Sequence, residues 1–497
     1  MKSLALFTLV LLNIGINVAI NPGLKMRLTR NGLNYVNTIA QAALAKDLQG
    51  LHIDDQSGSS GDIQWSLTNI QTEGVTVPTT GLDFNPGLNG LSLSITNFGI
   101  NIHADWRVKY RKGIIKISDS GSVSVGVHGV STSVTVGIGA DSQSRPSIST
   151  RACSANVDDV SIDFHGGTAF IWNLFRHPLE DKVKGILRDK ICTTVVNAIN
   201  VKAEAKLAKM RVDVEIDHRF LLDYGLVAPV SFTGAYMESQ HRGEVYWKDD
   251  KRESPFTPQV IPDSPDVSNM LYMYLTEYTA QTFAYTAQQH GFLVYNLTKK
   301  DLPADSQSFL NTTCDDFKCI GSLVSKIGRL YPNSSVEIRI SSTSDPKFKV
   351  ATTGLTMGLY SNLSLFARSL NGSEHYLATL NMSLALTGTA SIASEKVVGQ
   401  ITNHSFELGL VDSAIGPILV RVLQTNLETI LKLFVLPKFN EFAAKGFDLP
   451  VSEDLKFLNS RLILMDGFLV VATDVLLKIK QPETLRFAPE VFQHHSS

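Results

Sequence analysis

The sequence predicts an α+β protein of two similar halves, each a long apolar helix wrapped by a highly twisted antiparallel sheet. Three observations predict it. Helical spacing gives way to period-2 alternation, and this helix-then-strands order occurs on both sides of residues 247–268. That stretch reads as a linker, with a charged run from Lys248 to Glu253 followed by Pro255, Pro258, Pro262 and Pro265. The main helices are poor in charge: between Ala414 and Ala444 only Arg421, Glu428, Lys432, Lys438 and Glu441 are charged. Such a helix must be covered, and a twisted sheet would cover it, although a filled core without ligand has the same periodicity.

The elements follow in order. Met1-Lys2 and an apolar run from Leu4 to Val18 form a secretory signal, residues 1–20, with cleavage expected near Ala19 or Ile20. Asn31 to Leu48 is a helix, with Leu33, Val36, Ala40 and Leu44 at 3–4 residue spacing and Gly50 beyond its end. Ile63 to Ile148 alternates, as in Val123, Val125 and Val127 against Ser122, Ser124 and Gly126, with breaks at Pro86, Asn89-Gly90 and Asp119-Ser-Gly121. A second helix is expected from Ala169 to Leu207, interrupted at Pro178, with Leu179, Val183, Ile186, Leu187, Ile191, Val195 and Ile199 on one face beyond. Helix returns at Asn269–His290, strands run from Val336 to Leu410, and a last helix spans Gly416 to Gly446. The domains are therefore an N-terminal half at 21–246, the linker, a C-terminal half at 269–480 and a tail at 481–497. No stretch after the leader has 18 apolar residues without charge, so a soluble, secreted, extracellular protein is expected.

Secretion changes the reading of Cys153, Cys192, Cys314 and Cys319, which become candidates for disulfides in three possible connectivities. A local Cys314–Cys319 loop would leave Cys153–Cys192 closing about 40 residues, worth roughly 4 kcal/mol of chain entropy. No cysteine pair has two nearby histidines in register, so a zinc site is not expected. Sequons occur at Asn296, Asn311, Asn333, Asn362, Asn371, Asn381 and Asn403, all in the second half. Glycans there would leave the first half bare for contact with something large. Residues 21–246 carry 22 basic and 22 acidic side chains, and residues 247–497 carry 22 and 25. Attraction to an anionic surface must therefore be local. No long basic stripe suggests nucleic-acid binding, and no nucleophile elbow, zinc-protease, P-loop or dinucleotide motif suggests an enzyme.

Several segments carry a family resemblance: Asn21-Pro22-Gly23, Asp223-Tyr-Gly-Leu-Val-Ala-Pro229, Gly243-Glu-Val-Tyr246, Val435-Leu-Pro-Lys-Phe-Asn-Glu441 and Lys445-Gly-Phe-Asp-Leu-Pro450. In this order, across residues 21 to about 480, the chain resembles the bactericidal permeability-increasing protein and lipopolysaccharide-binding protein family. The relatives of that family include plasma phospholipid and cholesteryl ester transfer proteins. The resemblance implies an elongated boomerang of two barrels joined by a central sheet, with an apolar phospholipid pocket in each barrel. It implies the Cys153–Cys192 disulfide; Cys314–Cys319 lies outside the family pattern and rests on proximity.

The resemblance also implies a lipopolysaccharide contact at the tip of the N-terminal barrel. The matching stretch holds Trp106, Arg107, Lys109, Tyr110, Arg111, Lys112 and Lys116, with no acid between Asp105 and Asp119. Arginine forks onto lipid A phosphates, lysine adds point charge, and Trp106 and Tyr110 suit the boundary between headgroup and chain. An alternating basic strand is otherwise an ordinary solvated hairpin. Asp54, Asp55 and Asp62 depart from the lysines family members often carry nearby. Lys182, Lys184, Arg188 and Lys190 read as the wet face of the second helix. Leu33, Val36, Ala40 and Leu44, with Ile171 and Phe175, are the expected lipid wall. The expected protein is a monomeric, non-enzymatic innate-immune agent against Gram-negative bacteria, binding lipopolysaccharide in the outer membrane. It has no metal or cofactor beyond a bound, phosphatidylcholine-like phospholipid. Extracellular transfer of phospholipid or neutral lipid is the alternative, and a secreted lipid hydrolase the remote one.

Overall fold

The computed structural model describes residues 21–49, 52–60, 62–168, 176–314, 319–393, 395–449 and 455–477. The expected leader and tail lie outside these residues, as do Ile171 and Phe175. Strand β1 (Leu24–Thr29) leads directly into helix α1 (Arg30–Gln49). The N-terminal sheet follows: β2 (Gln56–Ser60), β3 (Ile63–Thr76), β4 (Thr79–Asn85), β5 (Gly90–Lys112), β6 (Ile115–Ala140), β7 (Pro146–Asn156) and β8 (Asp159–His165). Its order is β2-β3-β5-β6-β7, with β4 paired to β5 and β8 to β6, all antiparallel. Strands β5 and β6 run 23 and 26 residues. A flat sheet of that length would leave its apolar face open. Irregularities at Ile95/Phe98 and Phe98/Ile100, with Asn97 at φ 60°, bend β5 so that the sheet curls over its own core.

Helix α2 (Arg176–Asn197) runs on through a wider π turn, Ala198–Ala203, and a last turn, Glu204–Leu207. Val183, Leu187 and Ile191 rest on a core of Ile100, Trp106, Val123, Val127, Val160 and Ile162. The disulfide Cys153–Cys192 ties this helix to β7 across a Cα separation of 5.9 Å. The second disulfide, Cys314–Cys319, closes the short local loop.

Strands β9 (Asp213–Asp217), β10 (Phe220–Asp223) and β13 (Glu244–Trp247) make a small sheet. The halves meet in a central sheet that also uses β11 (Ser231–Phe232), β12 (Tyr236–His241), β14 (Leu271–Thr276), β22 (Leu455–Met465) and β23 (Phe468–Leu477). Its order is β11-β12-β1-β14-β23-β22, so β1 lies between a strand of its own half and one of the other. Residues 271–276 were expected to be helical, and helix α3 (Glu277–Gln289) starts only after them. The reason is burial on both faces: Tyr272, Met273 and Tyr274 are all at most 2% exposed. A fully buried strand loses the alternation that separates strand from helix.

The C-terminal sheet holds β15 (Val294–Leu297), β16 (Ser335–Ser342), β17 (Lys347–Ala351), β18 (Gly354–Arg368), β19 (Glu374–Ala393), β20 (Lys396–Ser413) and β21 (Phe447–Asp448). Its order is β15-β16-β18-β19-β20-β21, with β17 on β18. Helices α4 (Val420–Ile430) and α5 (Leu436–Lys445) flank a π segment, Leu431–Val435, and bury Leu423, Leu427, Ile430 and Leu431. The architecture is the α+β pair of curled antiparallel sheets about a central sheet that the sequence predicts.

Helices close the open sheet edges with polar side chains. Gln41 of α1 accepts from the Thr80 N–H and donates to the Pro78 carbonyl, both at 2.6 Å, while Asn37 donates to Thr80 O. On α2 and its continuation, Glu180, Asn200 and Glu204 accept from the N–H groups of Ile162, Thr150 and Ile148. In the other half, Gln424 bonds Leu408 and Phe406, and Asn440 accepts from Ile401. These side chains stand where a neighbouring strand would otherwise satisfy the backbone.

Candidate functional site

The β5–β6 hairpin turns at Gly113-Ile114, where Gly113 takes φ 59°, a left-handed conformation that suits glycine, and β3 runs beside β5 as far as Tyr110. Alternation sorts its side chains. Arg111 lies opposite Lys116, Lys109 opposite Ser118 and Arg107 opposite Ser120, so these cations share one face. On the other side β3 sets Gln64 opposite Lys109 and Ser66 opposite Arg107, and just before it the Asp62 carbonyl accepts from the Arg111 N–H. Among the described residues, Arg107, Lys109, Arg111 and Lys116 have no carboxylate partner, unlike Arg27, Arg145, Arg242, Arg339 and Arg368. Lys112 ends β5, paired with Ile115 in the register, and its side chain lies outside those the structure describes.

The opposite face of the hairpin is apolar. Tyr110 lies across from Ile117, which is 59% exposed, and Ile114 at the apex is 98% exposed. Sequence reasoning named the cations but gave these isoleucines no role; the placement of Ile114 in the turn Lys112-Gly-Ile-Ile-Lys116, and of Ile117 just after it, is the signal. Trp106 is corrected. It was expected at a headgroup boundary, but it is 4% exposed, meets Phe164 edge-on at 5.8 Å and donates its indole N–H to Ser122 O. Even numbering puts it on the core face, opposite to 107, 109 and 111.

The expected lipid wall on α1 is also redistributed. Leu33 is buried against Phe84, Val230 and Phe232, Ala40 and Leu44 are half-buried, and Val36 is 43% exposed. The physical cause is the bonding of Asn37 and Gln41 to β4, which fixes the rotation of the helix. A different stripe, Asn31, Asn34, Tyr35 and Thr38, lines a cleft of about 460 Å³ with Ser268, Met270 and Asp474. Those positions are themselves at i, i+3, i+4 and i+7, and their polarity hid them from a search for apolar walls. A second cleft, about 600 Å³, lies beside the disulfide and is lined by Cys153, Cys192, Thr193, Val196, Asn197, Asn200 and Val201. Among the described residues no cluster of metal-binding side chains occurs, and no helix is long and apolar enough to cross a membrane.

Two curled sheets sharing a central sheet, with a cationic hairpin at one tip, define a tandem-barrel protein. The chain belongs to the LBP / BPI / CETP family: the N-terminal domain of that family matches residues 32–210 and its C-terminal domain residues 214–477. It is 28% identical to the bactericidal permeability-increasing protein of Sebastes schlegelii, over 93% of this chain and 97% of that protein. It is 26% identical to the lipopolysaccharide-binding protein of Bos taurus, over 96% of this chain and 98% of that one. A crystal structure of lipopolysaccharide binding protein shares the fold, with a TM-score of 0.54 and 23% identity over 93% of this chain and 100% of that chain.

Proposed function

We propose that this protein captures bacterial lipopolysaccharide outside the cell, as an antibacterial protein of innate immunity, through the tip of the β5–β6 hairpin. The observation that carries the reading is the group of four cations on one hairpin face, without carboxylate partners among the described residues, beside an exposed aliphatic apex. An ion-paired arginine must give up its partner before it binds phosphate; these need not. Lipid A presents phosphates next to acyl chains, and the hairpin presents cations on one face beside the exposed aliphatic apex at Ile114. The names of the relatives, bactericidal permeability-increasing protein and lipopolysaccharide-binding protein, favour the same ligand.

A second reading, phospholipid carriage, draws on the cleft of about 460 Å³ beside α1. Tyr35, Met270 and the Asp474 carboxylate there suit the ammonium end of a phosphatidylcholine-like headgroup. Titration against lipopolysaccharide and against phosphatidylcholine vesicles, each at two salt concentrations, separates the readings. Tip capture predicts lipopolysaccharide binding that weakens as salt rises past about 0.15 M, where screening acts within about 8 Å. Binding to phosphatidylcholine alone, unaffected by salt, would leave carriage as the function.

A further inference from the structure

Several sheet edges in this fold are closed or are poor templates for pairing. Helix side chains bond β4, β7, β8 and β20, and β2 is a short polar strand, Gln56-Ser-Gly-Ser-Ser60, flanked by Asp54, Asp55 and Asp62. Strand β15 differs. It ends the C-terminal sheet, with β16 on one side only. The Ser342 N–H bonds Leu293 O, so by antiparallel alternation the backbone groups of Val294 and Asn296 point away from β16. No helix side chain among the described residues bonds them. Val294 is 57% exposed and Tyr295 52% exposed, next to Phe292 at 38%. An exposed apolar edge with free backbone groups is a template for another strand. Its one further feature is Asn296-Leu297-Thr298, a sequon whose asparagine is exposed.

We propose that Asn296 carries an N-linked glycan and that this glycan blocks strand addition at β15 by a second copy of the chain. The apolar leader, Leu4 to Val18, sends the chain along the route where such transfer occurs. The asparagine Nδ2 forms a bond to the anomeric carbon of a lipid-diphosphate-linked oligosaccharide; the lipid diphosphate leaves and the amide gives up one proton. The sugar stands beside the open edge, and an approaching strand cannot close to the 4.7–4.9 Å spacing of a ladder, a distance of roughly one backbone width. The other exposed strand sequons, Asn381 and Asn403, are on inner strands already paired on both sides or covered by α4 and α5, so their glycans guard no edge.

The test compares the full secreted chain with Asn296→Gln and Asn403→Gln, all made in a glycosylating eukaryotic host. Peptide mass spectrometry reads occupancy and sedimentation reads mass against concentration. The proposal expects an occupied Asn296, and an Asn296→Gln protein whose weight-average mass climbs toward twofold while Asn403→Gln sediments like the parent. Adding Val294→Lys and Tyr295→Lys to Asn296→Gln returns the parental mass, because charge blunts an edge as a glycan does. If Asn296→Gln is not secreted, endoglycosidase trimming of the folded parent gives the same mass increase. An unmodified Asn296 in the secreted protein overturns the proposal. So does an Asn296→Gln or trimmed protein that self-associates no more than its control.

Discussion

A guanidinium without exposed surface needs its donors filled, and Arg27 fills them within the central sheet. Its Nε and Nη2 reach Glu238 at 3.1 and 2.9 Å, Nη2 also reaches Asp263 at 2.6 Å, and Nη1 donates to Ser264 O. The Tyr236 ring stacks 3.7 Å from its Cζ. The side chain thus pins the linker to β1 and β12. Arg27→Met leaves Glu238 only Lys25, at 3.2 Å, and should cost about 3 kcal/mol in denaturant unfolding, the low end for breaking a buried pair. His241 gives a pH dependence. Its Nδ1 faces the Tyr224 carbonyl at 2.8 Å and must donate, so its Nε2 accepts from Ser239. Burial pushes this imidazole below its ordinary value near 6.5. Its contribution is then fully present above pH 6.5 and is lost as pH falls through the lower folded value. Unfolding free energy between pH 7 and 5 should fall less steeply in His241→Gln than in the parent; equal slopes would refute the assignment. Residue identity made the tip cations legible, but parity decided Trp106. Counting by twos from Arg107 excludes it from the basic face, and the rule was available in the sequence alone.

Elements were legible where one face is apolar and illegible where burial is complete or where polar bonds set orientation. Helix α1 and the long strands follow from spacing, whereas β14 reads as helix because Leu271 to Leu275 has no polar position. The rotation of α1 depends on Asn37 and Gln41, whose partners are about 40 positions away and invisible to a local pattern. Gln41→Ala removes two bonds and orphans the Thr80 N–H and Pro78 carbonyl. It should cost about 1–3 kcal/mol and speed hydrogen exchange at the Thr80 amide while leaving β6 protected. Unchanged exchange at Thr80 would mean that the seam is dispensable.

At the scale of the whole molecule, the halves are alike in order but differ in filling. The C-terminal core buries residues of both its sheet and α4, whereas α2 has no fully buried residue among those described. The N-terminal half has no sequon, and the proposed contact lies there. The net charge of that half is zero, so attraction to an anionic surface rests on local clusters such as the four cations of this hairpin. Replacing the apex, Ile114→Asp, should leave the fold intact, because the side chain is 98% exposed, and should weaken binding to lipid A more than to a soluble bisphosphate. The central claim is tested most directly by changing Arg107, Lys109, Arg111 and Lys116 together to serine and titrating lipopolysaccharide. Exposed ion pairs are worth about 0.2–1 kcal/mol each, so the set should cost roughly 1–4 kcal/mol, about 5- to 1,000-fold in Kd. Unfolding and phosphatidylcholine uptake should stay at parental values. A quadruple variant that binds lipopolysaccharide as tightly as the parent would contradict the account.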